Sequence, residues 1–197
     1  MTAMQRPARP HPPRRQAGFT LIELMVTISL IVVIMALAAP SFATFQRNSE
    51  LTSTANTMLS SLAAARSEAM KRGRNVLVVP ADDTGWAAGW IVFVDTDGSM
   101  TLDESVDTVL SREPALPTDV TAVTGTAPEG FKDPNNGRAY VMFNGSGYPR
   151  LVSGAFQASS LDFKHSVTDE TRRIISSPAG RLRVCKPADS GCSASVL

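Results

Sequence analysis

From Phe19 to Ala39 the chain runs for 21 residues with a single charge, Glu23. At 1.5 Å per residue such a helix is roughly 31 Å long, the thickness of a bilayer core. The preceding residues, MTAMQRPARPHPPRRQAG, carry Arg6, Arg9, Arg14 and Arg15 and no acid. By the positive-inside rule they hold the N-terminus in the cytoplasm and send the remainder across. Small residues in AAPSFA, positions 38 to 43, would serve as a cleavage site, so a cleaved signal peptide and a plain single-pass anchor both accommodate the run. Neither accounts for Glu23. A carboxylate at mid-membrane costs about 2 to 3 kcal/mol, less near the edge, and generally marks a pairing function.

Beyond Pro40 the pattern becomes amphipathic. Leu51, Ala55, Met58, Leu62, Ala65 and Ala69 alternate by four and three residues, which lays one apolar stripe on a helix. Lys71 and Arg72 suit the negative end of the helix dipole, and Gly73 is a natural stop. The spacing predicts one helix from about residue 19 to 72, packed by its second half on a globular domain. After Gly73, short β-rich runs alternate with turn residues: NVLVV at 75–79, GWIVFVD at 89–95, DTVLSRE at 107–113, DVTAVT at 119–124, RAYVMFN at 138–144, SLDFKHS at 160–166, TRRIISS at 171–177 and GRLRVCK at 180–186. This spacing predicts paired antiparallel sheets or a β-sandwich, an α+β chain with one domain of ordinary size. The stretch GTAPEGFKDPNNG before Arg138 reads as a loop.

Charge is unevenly spread. Positions 82 to 133 hold eleven acids against Arg112 and Lys132, whereas positions 164 to 197 hold six basic residues against three acids. In the basic part, Gly180-Arg181-Leu182-Arg183 has period two. As a strand it sends Leu182 to one face with Val184, and Arg181 and Arg183 to the other. Two guanidiniums about 6 to 7 Å apart can each fork onto a phosphate, and Gly180 would let a phosphate approach backbone N–H groups. Lys164, Arg172, Arg173 and Lys186 extend the strip in sequence. A solvated strand face explains the same pattern. No aromatic residue is interleaved, so contact would be backbone-directed and independent of base sequence.

Cys185 and Cys192, the two cysteines, form an intramolecular disulfide in an oxidising compartment, the alternatives being two free thiols or an interchain bond. Asp95, Asp97, Asp103 and Glu104 in DTDGSMTLDE suggest a calcium loop, but an EF-hand has its Gly at position six and Gly98 is fourth. A D-G turn between strands explains Asp97-Gly98 more simply. The reading assigns no metal, no cofactor and no catalytic residue, because His165 stands without a ligand cluster and no nucleophile has a base beside it in a recognisable motif.

The run Gly18-Phe19-Thr20-Leu21-Ile22-Glu23 resembles the prepilin signature of type IV pilins and type II secretion pseudopilins. With helix first and sheets after, the GWIVFVDTDG hairpin and GRLR near the end, the whole chain resembles the GspH/FimT family of minor pilins and pseudopilins. The resemblance implies a type IV pilin-like fold: a leader at 1–18, a transmembrane and filament-core helix at 19–45, an amphipathic half at 46–73 and a β-rich domain at 74–197. It implies cleavage after Gly18 by prepilin peptidase, N-methylation of Phe19, and pairing of Glu23 with the N-terminus of a neighbouring subunit in a filament. Pro40, the twenty-second mature residue, would kink or locally melt the helix. Partners implied are other minor and major pilins, prepilin peptidase and, before assembly, the inner membrane, with the C-terminal domain periplasmic. GRLR fits the GRxR motif of the DNA-binding FimT branch, which implies double-stranded DNA as ligand and a part in natural transformation. The alternative is a GspH-like pseudopilin in the tip of a secretion pseudopilus.

Overall fold

The structure, a computed structural model, describes residues 18–123 and 130–192. The basic leader at 1–17 lies outside them. The chain divides into two compact units, 1–42 and 43–197.

In the first unit, helix α1 (Leu21–Arg72) begins, and its apolar side chains from Leu21 to Leu37 are exposed. It is one helix long and apolar enough to cross a membrane. The helix runs on through Pro40 without a break, although proline has no N–H to donate to Ala36 four residues back. The expected local melting is therefore not seen.

In the second unit, the stripe predicted from the sequence is the buried face of α1: Leu51, Ala55, Met58, Leu62, Ala65 and Ala69 are all inaccessible. Ser61 joins them, accepting a hydrogen bond from Trp90 Nε1 at 3.0 Å. Gly73, at φ +64°, ends the helix in the left-handed conformation that glycine adopts without a Cβ penalty.

Two antiparallel sheets follow. The first has β1 (Val76–Pro80), β2 (Trp90–Val94), β3 (Thr108–Glu113), β5 (Val141–Phe143) and β6 (Pro149–Arg150), in the order β3-β2-β1-β5-β6. The second has β4 (Val120–Val123), β7 (Ser159–His165), β8 (Thr171–Ser176) and β9 (Leu182–Cys185), in the order β4-β7-β8-β9. The eight expected runs each contain a strand, and the two-residue β6 is the addition. Alternation places Val76, Val78, Trp90, Val92, Val141 and Phe143 from the first sheet and Leu161, Phe163, Ile174, Leu182 and Val184 from the second into one core with the α1 stripe. Trp90 and Phe163 stack across the two sheets at 6.4 Å.

The other face of the first sheet is also buried. Leu77, Phe93, Tyr140, Met142 and Leu151 form a second core, against which Met100 and Leu102 of the long β2–β3 loop pack. Burial of β2 on both faces explains why GWIVFVD is a continuous apolar run rather than an alternating one.

Candidate functional site

The GRLR segment leads from the turn after β8 (Gly180, Arg181) into β9 (Leu182, Arg183). Ser177 N–H donates to Arg181 O at 3.0 Å, Gly180 N–H to Ser177 O at 2.8 Å, and Arg181 N–H to Ser177 Oγ at 3.0 Å. Gly180 sits at φ +76°, and a Cβ there would lie 2.7 Å from Gly147 O and 3.0 Å from Arg66 Nε. Its smallness thus serves internal packing. The N–H expected to meet a phosphate is already donated within the turn, and this corrects the sequence reading of Gly180.

Arg66, on α1, holds this turn. Its Nε donates to Gly147 O at 2.9 Å and its NH1 to Gly180 O at 2.8 Å. One guanidinium therefore ties the turn before β6 to the turn before β9. Arg181 and Tyr148 each follow one of the two clamped carbonyls. Beside Arg181 a groove of about 490 Å³ is lined by Ala63, Arg66, Ser67, Met70 and Leu182.

The basic residues divide by face. Register pairs Arg173 with Cys185 and Ile175 with Arg183, so Arg173 and Arg183 share the face turned away from the core while Leu182 and Val184 join it; Arg181 precedes β9 and belongs to the turn. Arg172 points the other way. It is buried, donates to Glu170 Oε2 and Thr171 O at 3.1 Å each, and lines a groove with Asn48, Thr52 and Asn56 of α1. Arg172 and Arg181 line separate grooves, each along a different stretch of α1.

Availability separates the rest. Arg173 forks onto Asp162 with two 2.7 Å bonds and reaches Cys192 O at 3.4 Å. The hydrogen bonds to Asp162 push its pKa further up, but its charge is spent internally. Arg183 donates to Gly191 O. Lys164 pairs with Asp169 at 2.6 Å, and Lys186 stands 3.7 Å from Glu170. The hydrogen bond from Arg172, followed by the charge of Lys186, holds the Glu170 carboxyl below its usual range. Arg181 is exposed, and its guanidinium meets no acceptor among the described residues.

The Cys185–Cys192 disulfide is formed, with Cα atoms 5.8 Å apart. It ties down the tail whose carbonyls at Gly191 and Cys192 receive Arg183 and Arg173. Sequence reasoning missed Arg66, because nothing near it announces two carbonyl partners 81 and 114 residues away. It also missed an aromatic pair: Tyr148 and Phe156 are exposed, 6.1 Å apart, with the Arg150 guanidinium 3.7 Å over the Phe156 ring.

The acidic loop is sorted too. Glu104 is paired with Arg112 at 2.6 Å, and Asp103 Oδ1 accepts from Ser105 N–H. Neither joins Asp95 and Asp97, so the grouping expected from DTDGSMTLDE is not the one observed. At the helix start, Thr20 and Glu23 form a capping box. Thr20 N–H donates to Glu23 Oε2 at 3.1 Å, and Glu23 N–H donates to Thr20 Oγ1 at 3.3 Å.

Residues 54–189 match the family described as Type II transport protein GspH. The chain belongs to the GspH family. Residues 13–39 of this GspH-family chain match the prokaryotic N-terminal methylation motif. Among solved structures, the type IV minor pilin FimU of Pseudomonas aeruginosa is similar in two crystal forms. One has a TM-score of 0.54 at 22% identity, covering 76% of this chain and 98% of that one. The other has a TM-score of 0.50 at 22% identity, covering 73% and 99%. The minor pseudopilin EpsH of Vibrio cholerae aligns at 16% identity with a TM-score of 0.45, covering 71% and 99%. No curated protein sequence matches. The fold of this GspH-family chain is type IV pilin-like.

Proposed function

We propose that this chain is a minor type IV pilin that binds double-stranded DNA through phosphate contacts and supports DNA uptake in natural transformation. The observation that carries this reading is Arg181: an exposed guanidinium without an internal acceptor, on a turn fixed by Arg66 and by the bonds to Ser177. Arg183 and Lys186 flank it, and Lys164, in an exposed pair, can exchange Asp169 for a phosphate at small cost. Phosphate oxygens displace counterions at these groups, and no base edge is read. Removing the four leader arginines leaves 15 basic against 18 acidic residues, a net charge of −3. Binding is therefore local and weak per subunit, and repeated contacts in a filament raise it.

In the same reading, prepilin peptidase cuts after Gly18 and methylates Phe19, the helix anchors the subunit in the inner membrane with its β-rich domain in the periplasm, and Glu23 pairs with a neighbouring N-terminus on assembly. The second reading, a minor pseudopilin of type II secretion, is favoured by the family match itself.

Full-length chain in detergent micelles, offered two unrelated duplexes and, separately, secretion-tip pseudopilins, distinguishes them. Equal affinity for both duplexes, falling as salt rises, supports the first reading. Capture of pseudopilins with indifference to DNA at low salt supports the second.

A further inference from the structure

The β2–β3 loop brings three carboxylates to one point. Asp95, just after β2, and Asp107, just before β3, are buried, with 3% and 8% of their surface exposed; Asp97 is exposed. One oxygen from each lies within 4.8 Å of the other two. No ion pair is formed by any of the three among the described residues, although Arg74 and Arg138 hold the nearby carbonyls of Thr96 and Met100.

Most of their oxygens have local donors. Asp95 Oδ1 accepts from Gly98 N–H at 2.9 Å, Asp97 Oδ1 from Ser99 N–H at 2.9 Å, and Asp107 Oδ1 and Oδ2 from Thr96 N–H at 2.8 Å and Asp103 N–H at 2.9 Å. Asp95 Oδ2 differs. It is buried and has no hydrogen-bond partner. Buried polar atoms are almost always satisfied, and this one belongs to a carboxylate grouped with two others.

We infer that Asp95, Asp97 and Asp107 hold a calcium ion, with Asp95 Oδ2 as its buried ligand. The donors are all oxygen, with no imidazole or thiolate among them, which selects a hard cation. Calcium–oxygen distances of about 2.3 to 2.6 Å allow ligands of one ion to lie up to about 5.2 Å apart, and three oxygens all within 4.8 Å of one another meet that limit. Calcium also tolerates irregular ligand geometry and dehydrates more readily than magnesium, which suits a site supplied by a loop. Water completes the shell on the exposed Asp97 side. The sequence reading set a calcium loop aside because Gly98 is fourth where an EF-hand needs a sixth-position Gly, and its candidates were Asp95, Asp97, Asp103 and Glu104; the third carboxylate here is Asp107. The ion would staple the end of β2 to the start of β3 and close the loop that lays Met100 and Leu102 on the second core.

The test uses full-length chain in detergent micelles, stripped with chelator, titrated calorimetrically with CaCl₂ and unfolded thermally with and without calcium. The expected result is one calcium per chain and an unfolding midpoint raised by about 3 to 5 °C at millimolar calcium. Asp95→Asn and Asp97→Asn should each weaken binding at least about tenfold by removing a charged ligand. Asp95→Asn should unfold in chelator at or above the parent midpoint, since it relieves like-charge repulsion. Exposed Asp97 gives a second variant that cannot fail through loss of packing. No heat and no shift up to about 10 mM calcium, beyond the range of weak extracellular sites, overturns the proposal. An undiminished response in Asp97→Asn, or an equal response to magnesium, overturns it as well.

Discussion

Glu23 has a partner inside its own chain, the N–H of Thr20, and in the proposed filament it gains a second, the charged N-terminus of a neighbour. The two roles separate by substitution. Glu23→Gln keeps an acceptor for Thr20 but removes the charge, whereas Glu23→Ala removes both. If pairing drives assembly, Glu23→Gln is matured and membrane-inserted yet recovered in sheared filaments at about a tenth of parental level or less. Parental recovery would leave Glu23 as a helix cap alone. Tyr140 supplies a second residue-scale prediction. Its buried hydroxyl donates to Asp133 Oδ2 at 2.7 Å and accepts from Val152 N–H at 2.9 Å, and burial, then the Asp133 bond, push its pKa up to about 12. Because the folded value lies above the unfolded value of about 10, this phenol's contribution is complete below pH 10 and is lost as pH rises through 12. Absorbance titration of the folded chain should show a phenol that ionises only near pH 12; Tyr140 ionising near 10 would contradict the geometry. For Asp133 the sign is opposite. Burial raises it, but the Asn135 N–H and the Tyr140 hydroxyl outweigh burial and lower it, so its contribution is lost as pH falls through the folded value.

At the scale of elements, the β8–β9 turn is fixed from three sides: by its own backbone bonds, by the Arg66 clamp and by the disulfide-tied tail. Gly180→Ala adds a Cβ 2.7 Å from Gly147 O at a φ of +76°. It should cost roughly 2 kcal/mol in equilibrium unfolding and loosen the placement of Arg181. A neutral result would mean that the turn and Arg66 give way more easily than the contacts suggest. The helix was legible because a stripe spaced by four and three residues has one physical meaning, and it is buried residue for residue. Strands were legible where apolar runs were punctuated by turns. The two-residue β6 was hidden by its brevity, and Phe131 by its setting: a fully buried ring in a stretch whose Pro, Asn and Gly announce only a loop.

For the whole molecule, the fold class followed from the sequence, whereas the state of each basic residue did not. Period two placed Leu182 and Val184 on the core face, as observed. It could not reveal that Arg173 meets Asp162 across β7, since partners eleven residues apart are set by hairpin register. Gly180 was read as an opening for phosphate because Arg66, which fills that space, comes from α1. The remaining cationic surface is small, and the proposed DNA interface rests chiefly on Arg181. The most direct measurement is therefore the affinity of full-length chain in micelles for duplex DNA across a salt series, parent beside Arg181→Gln. Arg181→Gln should bind more weakly with a log–log salt slope shallower by about 1, and Arg183→Gln, whose guanidinium is engaged with Gly191, should change less. An Arg181→Gln protein with parental affinity and slope would contradict the proposed DNA interface.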